Sequence, residues 1–482
     1  MVNGSSIERV LADLRAAAAA GRAGEPLPST RVLVARHGAG PVTVSRAVAR
    51  LVAEGLVVSE PGRGLFVAPP RPGAAAEPAD LGWQTLALAD RPVGGDELVE
   101  LLAPAEPGAL VLATGYPDTG LQPARLLADA TSRAARRPGA WGRPPLSGVP
   151  ELRAALAGLS GVDAADVLVV PGGQAGLSTV LRALAPPGSP VVVESPTYLG
   201  VLVLARSAGL RPVPVPTDGS GLRSDLLAEA LARTGARLVY CQPSYANPTG
   251  TVMPPHRRNE VLEAVRAAAA FLLEDDYARL LGLGAPAPPP LVRDDPHGHV
   301  VHLTSLTKAS APSMRVGALA ARGPVAARLR TLRVVDDFFV PTPVQEAAVE
   351  LLAAAGWRRH LATLRRELAA RRDALLAALT RHAPDLAVPL VPAGGLHLWA
   401  RLPDGVDDVE LAARCGRRGL RVSSGTPYHA GEPPAPYLRV SYAAEPAPRL
   451  AAGARVLGDV LDELRSGSRR GRGRRLAETA SA

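Results

Sequence analysis

Lys308 is the sole lysine among 482 residues, and the Lys+Arg total of 54 leaves 53 arginines. A composition that has replaced lysine wherever any cation serves keeps one where arginine cannot substitute. Arginine stays protonated, whereas a desolvated lysine amine loses its proton and can form a Schiff base. Lys308 lies in Thr304-Ser-Leu-Thr-Lys-Ala-Ser-Ala-Pro-Ser-Met-Arg-Val-Gly317. Ser305 precedes it by three residues and Arg315 follows by seven, a hydroxyl and a guanidinium suited to holding a phosphate beside an amine. Pyridoxal phosphate (PLP) combines an aldehyde for the amine with a phosphate for these side chains, so a PLP lysine is the first expectation, and the rest of the chain can test it.

From about residue 107 to 464 apolar runs alternate with Leu-, Ala- and Arg-rich stretches at helical spacing. Val167-Leu-Val-Val, Val191-Val-Val-Glu, Leu238-Val-Tyr-Cys, Ala270-Phe-Leu-Leu-Glu and Val300-Val-His-Leu read as buried strands. The pattern is α/β with a largely parallel sheet, whose ligands sit at the carboxyl ends of the strands. A polar cluster follows each strand. Pro171-Gly-Gly-Gln-Ala-Gly176 opens a helix, whose free N–H groups and dipole favour a phosphate. Ser195-Pro-Thr-Tyr198 offers an aromatic to stack on a pyridine ring, although a core tyrosine fits the local pattern equally. Asn247-Pro-Thr-Gly250 is a turn whose amide can donate to a phenolate oxygen. Glu274-Asp-Asp-Tyr277 places a carboxylate after a strand, where it can pair with a pyridine nitrogen or merely cap a turn.

The order of these clusters resembles that of fold-type-I PLP enzymes of the aminotransferase superfamily, over roughly 350 residues. The resemblance implies Lys308 as the Schiff-base lysine and Asp275 on the ring nitrogen. Asn247 and Tyr277 would contact the phenolic oxygen and Tyr198 the ring face. Gly173, Gln174, Ser305, Arg315 and Thr307 would hold the phosphate. Arg439, in Tyr437-Leu-Arg-Val-Ser-Tyr-Ala443, would clamp a substrate α-carboxylate, and a small C-terminal subdomain would carry it. Gly115-Tyr-Pro-Asp118 and Gly148-Val-Pro-Glu-Leu-Arg153 also fit the superfamily.

The first 70 residues have another character. Ile7, Val10, Leu11 and Leu14 predict one helix. Pro28-Ser29-Thr30 starts a second, and Val44, Ala47, Val48 and Leu51 form the inner face of a third. Gly55 to Val67 reads as strand, Gly-Arg-Gly turn, strand. Three helices and a hairpin make a winged helix-turn-helix, and Leu27-Pro-Ser-x-Arg31 with Thr43 and the wing resembles the GntR class of bacterial regulators. The resemblance implies a double-stranded DNA partner, with Arg31 on phosphate, Thr43, Ser45 and Arg46 on the recognition helix, and Arg63 in the minor groove. Relatives usually open that helix with Ser-Arg-x-Thr, where this chain has Gly40-Pro-Val-Thr43, a proline without a donor in place of an arginine.

Residues 71–106 are expected to be a Pro/Ala-rich linker, with a short helix near Asp96 to Leu102. Residues 465–475 hold six arginines and no acid, so this tail carries +6 of the net +9, and residues 465–482 read as a disordered basic extension. A high isoelectric point therefore does not by itself indicate a DNA-binding fold. Two cysteines, Cys241 and Cys415, exclude a disulfide framework. No metal-ligand spacing, secretory h-region or membrane-length apolar run occurs, so a cytoplasmic chain without membrane partners is expected.

The two halves together resemble the MocR (PdxR-like) transcriptional regulators. That implies a homodimer that senses PLP, or its aldimine with an amino acid or amine effector. The alternative is a working aminotransferase with an inherited DNA-binding arm, because Lys308, Asp275 and Arg439 are all present.

Overall fold

The computed structural model describes residues 6–69, 80–88 and 94–480, with side chains described through residue 466. The chain divides into two compact units, Met1–Pro92 and Val93–Ala482.

The first unit contains helices Ser6–Ala20, Thr30–His37 and Pro41–Ala53 and the hairpin Val57–Glu60 and Gly64–Val67. A two-residue strand, Pro26–Leu27, adds to the hairpin antiparallel. The apolar positions at helical spacing converge as predicted: Val10, Leu11, Leu14, Leu33, Val44, Ala47 and Leu51 form one core with Val57 and Leu65 of the hairpin. Ser29 caps the second helix, its Oγ accepting from the Val32 N–H at 3.4 Å, and Gly38 ends it in the left-handed conformation. Arg15 holds the Glu54 carboxylate at 2.8 Å, pinning the end of the third helix to the first. Pro41 occupies the first turn of that third helix, after a Gly40 cap that supplies no side-chain bond.

The second unit is built on an eight-stranded sheet ordered Val167–Val170, Gly317–Ala320, Val300–Ser305, Phe271–Asp276, Leu238–Cys241, Pro190–Ser195, Arg211–Asp218 and Gly221–Leu222. The pairings from Val300–Ser305 through Arg211–Asp218 are parallel, and Gly317–Ala320 lies antiparallel between its two neighbours. Successive strand side chains point to opposite faces. Leu273, Val301 and Val193 therefore join the core on one face, and Leu272, Val300 and Val192 the core on the other. Both faces are covered, as a parallel sheet requires.

A smaller subdomain carries the sheet His397–Arg401, Tyr437–Ser441 and Ser423–Ser424. It also holds the parallel pair Leu110–Val111 with Leu420–Arg421, and helices Ala355–His382 and Asp408–Arg417.

Two expectations change. The linker stretch is helical at Gly82–Leu88 as well as at the expected Asp96–Leu102, and the second of these helices belongs to the large unit. Arg421 donates to the carbonyls of Ala103 and Glu100, and Leu101 packs against the cluster of Leu199, Trp399 and Tyr428. The proline-rich part of the linker, residues 70–79, lies outside the described residues, as do 89–93. The basic tail continues the helix Ala447–Ala480 rather than leaving it. Leu450, Ala454, Leu457, Val460 and Leu461 bury the first turns of that helix, so nucleation has already occurred. The Arg- and Gly-rich run beyond it contains no proline to stop the helix.

Candidate functional site

The parallel strands end together, and the polar residues that follow them line one cavity of about 310 Å³. Every cavity residue named from the sequence, including Lys308 and Arg439, is on its wall.

Asp275 ends its strand with Oδ2 accepting from Tyr240 Oη and Gln242 Nε2, each at 2.8 Å. Burial pushes its carboxyl up to about 6, and those two donors oppose the shift. Across the cavity the helix Gly173–Leu184 presents its N-terminus beside Ser305, Thr307 and Arg315. Arg315 is in the left-handed region at φ 42° and donates to the Pro171 carbonyl at 3.0 Å. Gly172 makes room for it: at φ 82°, a Cβ there would stand 2.8 Å from the Arg315 guanidinium carbon. Ser305 Oγ lies 3.1 Å from Thr307 Oγ1. Cation, hydroxyls and free helix N–H groups form a cradle for a phosphate-sized anion.

Lys308 stands between carboxylate and cradle. Its Nζ donates to the Gly115 carbonyl at 2.9 Å and lies 3.7 Å from the centroid of the Tyr116 ring. Burial, reinforced by Arg439 and Arg315 and opposed by Asp275, lowers the amine to about 7. A large fraction is therefore unprotonated at neutral pH, as a nucleophilic lysine requires. Tyr198 donates to Gln174 Oε1 at 3.1 Å, and Tyr277 to the Tyr245 carbonyl at 2.9 Å. Burial raises both phenols well above their usual value. Arg439, 1 % exposed, donates to Asn247 Oδ1 at 3.3 Å and to the Ala113 carbonyl, and its Nε is buried without a partner.

Some of the site escaped sequence reasoning. Gln242 ties three parts of it together: besides Asp275, its backbone N–H donates to Glu194 at 2.9 Å, and its Oε1 accepts from the Asn247 N–H at 2.8 Å. Its signal was its place, a polar residue straight after the strand Leu238–Cys241. Leu98, Leu101 and Leu102 also line the cavity, at helical spacing within the presumed linker. His397 is on the wall too.

In the first unit, Arg31 lies exposed in the opening turn of Thr30–His37. Ser45 and Arg46 are exposed on Pro41–Ala53, and Thr43 is half-buried there. Arg63, at the hairpin tip, pairs with Glu60 and sits 5.7 Å from the Phe66 ring centroid.

An anion cradle, a depressed lysine amine and a buried carboxylate at the carboxyl ends of one parallel sheet define the fold-type-I class of PLP proteins. The donor set fits the whole cofactor: cradle for phosphate, amine for aldehyde, carboxylate for ring nitrogen. Residues 108–457 match the aminotransferase class I and II family, and the chain belongs to it. Residues 7–67 match the bacterial regulatory proteins of the gntR family. LysN, the α-aminoadipate aminotransferase of Thermus thermophilus, solved with N-(5'-phosphopyridoxyl)-L-leucine, superposes with a TM-score of 0.74 at 31 % identity, over 80 % of this chain and 99 % of that one. A 2-aminoadipate transaminase of the same species is 32 % identical over 74 % of this chain and 91 % of its own length. The HTH-type transcriptional regulator YdfD of Bacillus subtilis is 26 % identical over 92 % of this chain and 93 % of its own, so it spans both units. A gntR-type DNA-binding domain joined to an aminotransferase-like domain is the MocR architecture. Among the described residues, no helix is long and apolar enough to cross a membrane.

Proposed function

We propose that this chain is a transcriptional regulator that binds double-stranded DNA through its first unit and senses PLP, alone or with an amino compound, through its second. The observation that carries the reading is a complete PLP donor set in a chain that begins with a gntR-type winged helix. HTH-type transcriptional regulators with matching length, such as YdfD, support it.

When bound, PLP supplies an electrophilic carbon and an electron-withdrawing ring. The residues have separable tasks. Lys308 offers an unprotonated amine at Nζ and afterwards can hold a proton there. Asp275 keeps a negative charge where a protonated ring nitrogen would lie, and Tyr240 and Gln242 orient that charge. Arg439 binds the carboxylate of an entering amino acid, while Tyr198, Tyr277 and the three leucines exclude water. To regulate, the ligand must prefer one arrangement of a homodimer over another, and a tenfold preference corresponds to about 1.4 kcal/mol per site.

A second reading, a working aminotransferase, is favoured by the intact set of Lys308, Asp275 and Arg439 and by the transaminase at 32 % identity. One experiment separates them: binding of the protein to its own upstream DNA, titrated with PLP at fixed salt, with Lys308→Ala in parallel. Specific binding that PLP shifts in the wild type but not in Lys308→Ala supports the regulator. Absence of specific binding, with amino-acid turnover by the PLP-loaded protein, refutes it.

A further inference from the structure

One polar side chain on the cavity wall has no partner. His397 is 4 % exposed, and its Nδ1 is buried without a hydrogen-bond partner. A buried imidazole left without partners is costly, so such a group marks a place that a ligand completes.

Its position says which part of a ligand. The strand His397–Arg401 pairs antiparallel with Tyr437–Ser441, placing Trp399 opposite Arg439 and His397 opposite Ser441. Directly opposed residues share a face and alternate residues return to it, so His397 and Arg439 are diagonal neighbours on one face. The Cε1–Nε2 edge faces Gly115, beside the lysine: a Cβ built there would lie 3.8 Å from Cε1, 3.9 Å from Nε2 and 3.7 Å from Lys308 Nζ. Burial, then Arg439 and Lys308, hold the imidazole well below its usual value. It is therefore neutral, with one N–H to donate and one lone pair. The Arg439 guanidinium borders it, so the group that enters beside it is an acceptor or an anion. A carboxylate has about four lone-pair sites, of which a guanidinium takes two. A neutral N–H fills a third without adding another charge to the pair.

We infer that His397 is the second donor of the carboxylate site, acting with Arg439. The inference rests on the PLP-sensing reading and adds a residue to the carboxylate site of that reading.

The test uses full-length PLP-loaded protein and follows the absorbance of bound PLP. The twenty standard amino acids and their decarboxylated amines are screened on wild type. The best amino acid and its own amine are then titrated against His397→Phe and His397→Gln, the latter carrying an amide N–H toward the Nε2 position. Wild-type far-ultraviolet circular dichroism and PLP uptake in each variant control for folding. His397→Phe is expected to weaken the amino acid about ten- to a hundredfold. The amine should move no more than about twofold, and His397→Gln should recover much of the loss. Equal weakening of amino acid and amine would place the imidazole at the amine end and overturn the inference, as would no change in either. A wild type that takes up PLP but prefers amines overturns it while leaving the PLP reading standing. Failure to take up PLP overturns both.

Discussion

Asp275 is held at a cost that can be measured without any cofactor. Its carboxyl rises from the ordinary 3.8 to about 6 because burial penalises the charged form. A displacement of about two pH units corresponds to about 3 kcal/mol. The sign follows from linkage: a group whose pKa is higher folded than unfolded contributes stability that is complete below the unfolded value. That stability is lost as pH rises through the folded one. In the apoprotein Asp275 should therefore lower the stability of the large unit progressively between about pH 4 and pH 7. Asp275→Asn removes the charge, and because Tyr240 and Gln242 both donate to Oδ2, an amide oxygen in that place can accept both bonds. The variant apoprotein is expected to match wild type near pH 4 and to exceed it at pH 7 by up to about 3 kcal/mol, while binding PLP more weakly. Urea denaturation of the two apoproteins at a series of pH values reads the difference. Buried Glu194, raised to about 8, lowers stability over an overlapping pH range but is present in both proteins, so its effect drops out of the difference. An Asn variant no more stable than wild type at pH 7, or a difference independent of pH, would refute the assignment of burial as the dominant cause.

Three further outcomes are expected. Reductive trapping of PLP with borohydride should label Lys308 with a pH midpoint near 7, far below the ordinary lysine value of 10.5. Arg439→Gln should move that midpoint upward, since Arg439 is the largest contributor after burial; a wild-type midpoint in the ordinary lysine range would contradict the buried, cation-flanked site. Gly172→Ala should lose about tenfold or more in PLP affinity by equilibrium dialysis. The added methyl stands 2.8 Å from the Arg315 guanidinium carbon at φ 82°, so unchanged affinity would show that Arg315 does not serve the cradle. In the first unit, Arg31→Ala should weaken DNA binding evenly across sequences and reduce the salt slope by about one. Arg46→Ala should instead alter which sequences are preferred, both read by fluorescence anisotropy over a salt series.

The strands whose ends carry the chemistry were legible because they are short apolar runs closed by polar punctuation, and their order alone suggested one cavity. Gly317–Ala320 left no such trace. Gly-Ala-Leu-Ala has neither β-branched residues nor alternation, and it is a strand because its neighbours on both sides supply the pairing. Arg211–Asp218 was hidden for the opposite reason. Pro212, Pro214 and Pro216 argue against a strand until their spacing is considered. Alternate residues of a strand direct their N–H groups to the same side. Arg211 donates to the Ser189 carbonyl at 2.9 Å, so the odd-numbered residues face the Pro190–Ser195 side. The prolines then direct their missing donors to the other side, which pairs only at Thr217 and Asp218 with the short strand Gly221–Leu222. Three prolines there cost no ladder bond and leave little of that edge open to another chain. The polar shell of the site was hidden for a related reason. Tyr240 sits within an apolar run and His397 opens another, so each reads as core from its neighbours. Only the register of the sheets shows that Tyr240 reaches Asp275, and that His397 shares its face with Arg439. The residues that act on a ligand directly left their signature in sequence order. Those that tune or complete them are fixed by pairing between strands distant in the chain, and that pairing is set by packing the whole sheet.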